Sequence, residues 1–169
     1  MEKLNTSLPG VWELQPKVIR DARGFFLETY HQQKFAGLGI HDIFVQDNQS
    51  RSAKGTLRGL HYQLRHAQAK LCRVVEGEVL DVAVDIRIGS PTFGKWASVL
   101  LSSEKQNQIF IPQGFAHGFL ALEDSVVHYK MTAHFDPAHE RVLSWKDPLV
   151  GISWPLSADP IMSTKDANA

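Results

Sequence analysis

The chain has a single cysteine, Cys72, so no intrachain disulfide can form. Free cysteine is among the most buried residue types, and Cys72 in its strand-like setting is expected to be a small core side chain. A reducing, cytoplasmic location fits that count. Neither charge is in excess: 18 Lys and Arg face 18 Asp and Glu. Nucleic-acid binding, which usually comes with a basic surplus, is therefore not expected, although a local basic pocket for one anionic ligand is compatible with the balance. No run approaches the roughly 18 apolar residues of a membrane span. The start, Met1-Glu2-Lys3-Leu4-Asn5-Thr6, has no apolar segment behind a basic cluster, so no secretory leader is expected. Repeats and low-complexity segments are absent, and helical patterning is scarce. Residues 31–38 support a turn or two of helix, and residues 165–169 a frayed turn.

What is present is ordinary globular material: 169 residues, 43% hydrophobic and 21% charged. That is one domain, residues 1–169, able to bury about two thirds of its unfolded surface without a disulfide or metal staple. The dominant pattern is short alternation broken by glycine and proline. In Val79-Leu80-Asp81-Val82-Ala83-Val84-Asp85-Ile86-Arg87 the apolar Leu80, Val82, Val84 and Ile86 share one parity, which predicts a strand with one apolar face. Residues 70–75 precede it, and Glu76-Gly77 between them reads as a two-residue hairpin turn. Further strands are expected at 11–19, 24–29, 43–50, 56–63, 94–101, 108–111, 115–122 and 125–135. Many short strands with regular turn signals mean a sandwich or barrel.

Of eight histidines, His31, His41, His66, His134 and His139 sit among polar neighbours and are expected to be solvated; His128 belongs to a strand surface or pocket wall. His61 lies in the strand-like Leu57-Arg58-Gly59-Leu60-His61-Tyr62-Gln63. It is either a core histidine with one partner or a general base facing a cavity. Strict alternation puts Arg58 and His61 on opposite faces, so either a bulge intervenes or they do not share a pocket. Tyr129 shares parity with Val127 and Met131, so its ring is expected to face the interior, where a phenol needs a partner or a task. Pro112-Gln113-Gly114-Phe115-Ala116-His117-Gly118 is half of the pattern by which metal cupins present a histidine ligand. The companion His-x-His pair is missing, and a catalytic metal usually needs three protein ligands, so metal binding is weakly supported. Arg23, Arg51, Arg58, Arg65, Lys70 and Arg73 are either solvated charges or an anion clamp.

Taken together, these stretches resemble the dTDP-4-dehydrorhamnose 3,5-epimerases and their sugar-nucleotide relatives. The matching segments are Asp21-Ala22-Arg23-Gly24-Phe25-Phe26-Leu27-Glu28, Phe44-Val45-Gln46-Asp47-Asn48, the segments around His61, Asp81 and His117, Ser90-Pro91-Thr92-Phe93-Gly94, Tyr129-Lys130 and Ser163-Thr164-Lys165-Asp166. The resemblance implies an all-β cupin jelly roll with short peripheral helices, a homodimer, no metal and no cofactor. It implies His61 as catalytic base, Asp166 as the carboxylate paired with it, and Tyr129 as proton donor on the opposite face. Arg58, Lys70 and His117 match residues around the sugar and diphosphate; Gln46, Asp47 and Asn48 fall in the pocket segment. Arg23, Phe26 and Glu28 match positions that reach the nucleotide, in this family often from the partner subunit. Phe135 matches an aromatic stacked on thymine, Glu140 a binding glutamate and Lys165 a further ligand contact. Gln49, Phe135 and Ala69 depart from the residues usual in relatives: histidine, tyrosine and glycine.

The implied reaction is epimerisation of a dTDP-4-keto-6-deoxyhexose at C3 and C5. The alternatives are a relative acting at one carbon or on another nucleotide sugar, a metal-dependent cupin, and a silent sugar-binding module. Both carbons beside a ketone carry acidic protons, and inversion needs a base and an acid on opposite sides. A cation such as Lys70 would stabilise the enolate, a contribution of about 3–4 kcal/mol for preorganised donors.

Overall fold

The alternating segments form thirteen short strands in the computed structural model, which describes residues 1–169. They are β1 (Glu2–Asn5), β2 (Trp12–Gln15), β3 (Val18–Asp21), β4 (Gly24–Leu27), β5 (Gln46–Ser52), β6 (Leu57–Gln63), β7 (Lys70–Glu76), β8 (Glu78–Asp85), β9 (Trp96–Ser102), β10 (Gln108–Ile111), β11 (Phe115–Ala121), β12 (Ser125–Met131) and β13 (Glu140–Val142). Two small helices, α1 (Gln32–Gly37) and α2 (Thr164–Ala167), lie at the periphery. One sheet has the order β1-β2-β10-β7-β12-β5 and the other β13-β6-β11-β8-β9, with β3-β4 as a separate hairpin. Every paired strand is antiparallel, and the whole is the jelly roll that the resemblance implied.

Side chains on the two inner faces interdigitate, as expected for packed sheets. Cys72 and Val74 of β7, Ala83 of β8, Val99 of β9, Phe119 of β11 and Val127 of β12 all belong to this central core. The outer face of the larger sheet is covered by α1, whose Phe35 packs with Leu14, Leu71 and Phe110. The outer face of the smaller sheet is covered by the C-terminal segment, through Leu143, Val150, Ile152 and Trp154. This second cover changes the reading of β8. Its apolar Val82 and Val84 pack under the C-terminal segment, while its polar parity, Asp81 and Asp85, faces inward and is fully buried. The strand thus has two buried faces rather than one.

The hairpin expected at Glu76-Gly77 is not formed. β7 and β8 belong to different sheets, so the turn is a bridge between layers. Gly77 has φ +78° there, and its neighbour Glu78 donates its backbone N–H to Ser125 Oγ. Two strands escaped the alternation test: β1 is an exposed edge, and β13 has only three residues.

The bulge left open between Arg58 and His61 is real. His61 pairs with His117 and Arg58 with Phe119, so three steps along β6 oppose two along β11. Gly59 has φ +115°, and a Cβ there would stand 2.7 Å from Gly118 Cα and from the His117 carbonyl oxygen. Gly59→Ala should therefore combine overpacking with a disfavoured backbone, costing about 1–3 kcal/mol or more in urea unfolding. A variant as stable as wild type would show that the bulge has slack.

Candidate active site

At one end of the barrel the inner faces stop being apolar. A cavity of about 360 Å³ opens there, walled by Gln46 and Asn48 of β5, Lys70 of β7, and Tyr129 and Met131 of β12 on one side. His61, Tyr62 and Gln63 of β6 and Glu140 of β13 form the facing side, with Phe135 at the rim. His61 and Tyr129 thus arrive from opposite sheets and line one space. A second cavity of about 460 Å³ adjoins it, sharing His61 and Glu140 and adding Arg58, Lys165 and Asp166. The bulge in β6 is what lets Arg58 and His61 face the same opening.

His61 Nε2 lies 2.7 Å from Asp166 Oδ1. The carboxylate is buried and pre-aimed: its other oxygen accepts the Gly59 backbone N–H at 3.2 Å, and its own N–H donates to Ser163 Oγ at the start of α2. Lys165, next in the chain, forms an ion pair with Glu140 across the cavity edge. With Asp166 on Nε2, the imidazole is held as the Nε2–H tautomer, leaving Nδ1 as the basic nitrogen.

Burial pushes the Tyr129 phenol above its ordinary range, against the pull of the neighbouring Asn48 side chain. The group keeps its proton at neutral pH, the state that a donor needs. Burial likewise lowers Lys70, and none of the chain's ion pairs engages its ammonium. A cation on the cavity wall without a fixed carboxylate is free to meet an incoming anion. Gln46 is oriented from both ends: Nε2 donates to Asn48 Oδ1 at 3.0 Å, and Oε1 accepts the Phe135 N–H at 2.9 Å.

Five of the expected site residues do not line these cavities. Asp47 has the opposite parity to Gln46 and Asn48 on β5, and its carboxylate pairs with Lys130 at 2.9 Å on the outer face. Arg23, Phe26 and Glu28 sit on or beside the β3-β4 hairpin, away from the barrel mouth of their own chain. Arg23 pairs with Asp21, Glu28 pairs with Lys34, and Phe26 is 68% exposed. His117 stands behind the wall rather than on it. It is buried, with Nε2 2.9 Å from both oxygens of Asp81 and 3.9 Å from Cys72 Sγ. Gln63, Gln68 and Met131 were not singled out, yet they line the cavity. Gln63 and Met131 share parity with His61 and Tyr129, a signal that would have found them.

Comparison of the whole chain with known proteins identifies its family. The family model described as dTDP-4-dehydrorhamnose 3,5-epimerase matches residues 5–169. The chain belongs to the dTDP-4-dehydrorhamnose 3,5-epimerase family. A Pseudomonas aeruginosa protein of that name is 51% identical over 98% of this chain and 93% of its own length. One from Neisseria gonorrhoeae is 53% identical over 98% of this chain, which spans only about half (51%) of that longer protein. The crystal structure of a Legionella pneumophila dTDP-6-deoxy-D-glucose-3,5-epimerase, in complex with dTDP-4-keto-L-rhamnose, superposes with a TM-score of 0.97. It is 48% identical, over 99% of this chain and 90% of that one. The cupin-type fold is thus shared across the family and this chain. No helix of the chain is long and apolar enough to cross a membrane.

Desolvation also holds the His117 imidazole below its ordinary value of 6.5, outweighing the attraction of Asp81. The unfolded chain therefore takes up that proton first as pH falls. The stability linked to His117 is complete above 6.5 and is lost as pH drops through the folded value. Urea midpoints of the wild type should fall over that window, and His117→Asn should flatten the slope; an unchanged slope would place the titration elsewhere.

Proposed function

We propose that the chain is an isomerase converting dTDP-4-dehydro-6-deoxy-D-glucose to dTDP-4-dehydro-L-rhamnose, by epimerisation at C3 and C5. The observation that carries this reading is the placement of His61 and Tyr129 on facing sheets around one cavity that also holds an unpaired Lys70. Membership of the family, and relatives of about half identity bearing that activity in their names, support it.

His61 Nδ1 takes the proton from the carbon beside the ketone, and the C–H electron pair moves onto the ketone oxygen as an enolate. Asp166 stabilises the imidazolium so formed and holds the ring in place. The Lys70 ammonium stands by the developing oxyanion. Tyr129 returns a proton to the same carbon from the opposite face, and the electrons flow back to restore the ketone. His61 then releases its proton to solvent and Tyr129 regains one from solvent, and the same steps at the second carbon complete the isomerisation. Protons are the only species exchanged, so the reaction needs no cofactor. Arg58 and Lys165 are suited to the diphosphate, Gln46 and Asn48 to the sugar, and Phe135 to stacking on thymine beside Glu140. His117 with Asp81 backs the wall and acts through His61 and Lys70.

A homodimer is part of the proposal. Phe25, Phe26 and Ile19 leave an apolar hairpin surface more than half exposed, and a second copy receiving that hairpin would place Arg23, Phe26 and Glu28 at its nucleotide end. A cytoplasmic setting, where the buried thiol of Cys72 stays reduced, belongs to the same reading.

His61→Asn should abolish solvent exchange at both carbons, a loss of at least about 100-fold, while dTDP still binds. Tyr129→Phe should slow inversion far more than exchange, because abstraction by His61 survives. Nuclear magnetic resonance of the keto sugar in deuterated water separates the two rates. Exchange persisting in His61→Asn, or inversion at wild-type speed in Tyr129→Phe, would reject these roles.

A further inference from the structure

Beside the cavity rim, two loops bring three ligating side chains together outside the site described above. His66 lies between β6 and β7, and Asp136 and His139 lie between β12 and β13. Their ligand atoms all fall within 4.8 Å of one another. We propose that His66, Asp136 and His139 form a binding site for a divalent transition-metal cation of the zinc class.

Both imidazoles aim the same nitrogen at one oxygen. His66 Nδ1 is 3.1 Å and His139 Nδ1 is 2.7 Å from Asp136 Oδ2. The rings meet edge to face, with an interplanar angle of 85°, and each donates its Nδ1–H to the same carboxylate oxygen, so a cation would take the place of those two protons. Around a tetrahedral zinc with bonds of about 2.0–2.2 Å, ligand atoms stand about 3.3 Å apart. The two nitrogen–oxygen spacings need to open by roughly 0.2–0.6 Å, and the two Nδ1 atoms, within 4.8 Å of each other, need to settle at the same separation, which side chains at a loop surface can supply. Two imidazoles and a carboxylate suit zinc, nickel, copper and cobalt rather than magnesium or calcium, which prefer oxygen. Three protein ligands leave a position for water.

The cluster is ordered before any cation arrives. Asp136 Oδ1 accepts the Ala138 N–H at 3.1 Å, which fixes the plane of the carboxylate. The Gln63 side chain holds both loops at once, donating to the His66 carbonyl at 2.8 Å and accepting the Asp136 N–H at 2.8 Å. His66 itself sits at φ +54°, a left-handed conformation that directs its ring toward the second loop. A cation here would link the two loops and stiffen the rim that carries Phe135. It takes no part in the proton transfers.

The test uses the full-length, chelator-treated protein and the metal alone. Titration with Co2+ should produce the visible d–d bands of four- or five-coordinate cobalt at one equivalent per chain, and Zn2+ should displace it. Zn2+ should also raise the melting temperature, since it binds the folded state. His66→Ala and His139→Ala, both on exposed loops, should each abolish the bands and weaken Zn2+ by at least about tenfold. His41→Ala, outside the cluster, should change neither. Absence of the bands in the wild type, or a smaller loss in either loop variant, would overturn the assignment. Circular dichroism of each variant checks that the fold is intact.

Discussion

His61 and Asp166 are 105 residues apart in the chain and 2.7 Å apart in space. Their hydrogen bond is the constraint on which the rest of the site depends. It docks the last helical turn onto β6, and with it Lys165 onto Glu140 at the edge of both cavities. It also selects the tautomer that leaves a basic nitrogen on His61. Asp166 is paired on both oxygens, to His61 and to the Gly59 amide, so its burial leaves neither oxygen without a hydrogen-bond donor. The Gly59 amide is available because the β6 bulge turns it away from the strand ladder. One irregularity in one strand thus provides the carboxylate's second partner and brings Arg58 round to the opening shared with His61.

The barrel has a division of labour along its axis. Around Cys72, Val74, Val99, Phe119 and Val127 the two inner faces make an ordinary dry core. Toward the open end the same strand faces carry Lys70, Tyr129, His61 and Gln63, and the sheets enclose space instead of packing. Rigid strands hold these groups, with the core beneath them as support. Such a scaffold suits a reaction whose demand is two proton-transfer groups on opposite sides of one ring. The buried Asp81–His117 pair lies at the junction of the two zones, where β8 and β11 pair directly beneath His61.

Much of this was legible in the sequence, because a period of two speaks directly about faces. Tyr129 was placed inside by Val127 and Met131, and both are buried. Strands β9 to β12 fall where alternation and turn residues put them. What periodicity does not carry is the identity of the neighbouring layer. The polar parity of β8 looks solvent-facing until Asp81 finds His117 and Asp85 finds Arg87, Ser90 and Thr92. Glu76-Gly77 has hairpin chemistry, but the decision to cross between sheets rests with long-range pairing of β7 to β10 and β12. Asp47 shows the reverse case: strict alternation alone would have excluded it from the pocket. Arg23, Phe26 and Glu28 lie on or beside a hairpin that a single chain leaves exposed, so the role proposed for them rests on the proposed second copy.

The central claim is that two different residues, on opposite sides of the sugar, remove and return the protons. Wild-type protein incubated with dTDP-4-dehydro-6-deoxy-D-glucose in deuterated water tests it directly. The account predicts product inverted at C3 and C5 with solvent deuterium at both carbons. Protium retained at either inverted carbon would mean that the proton never left to a separate donor, and deuterium at one carbon alone would contradict a double epimerisation.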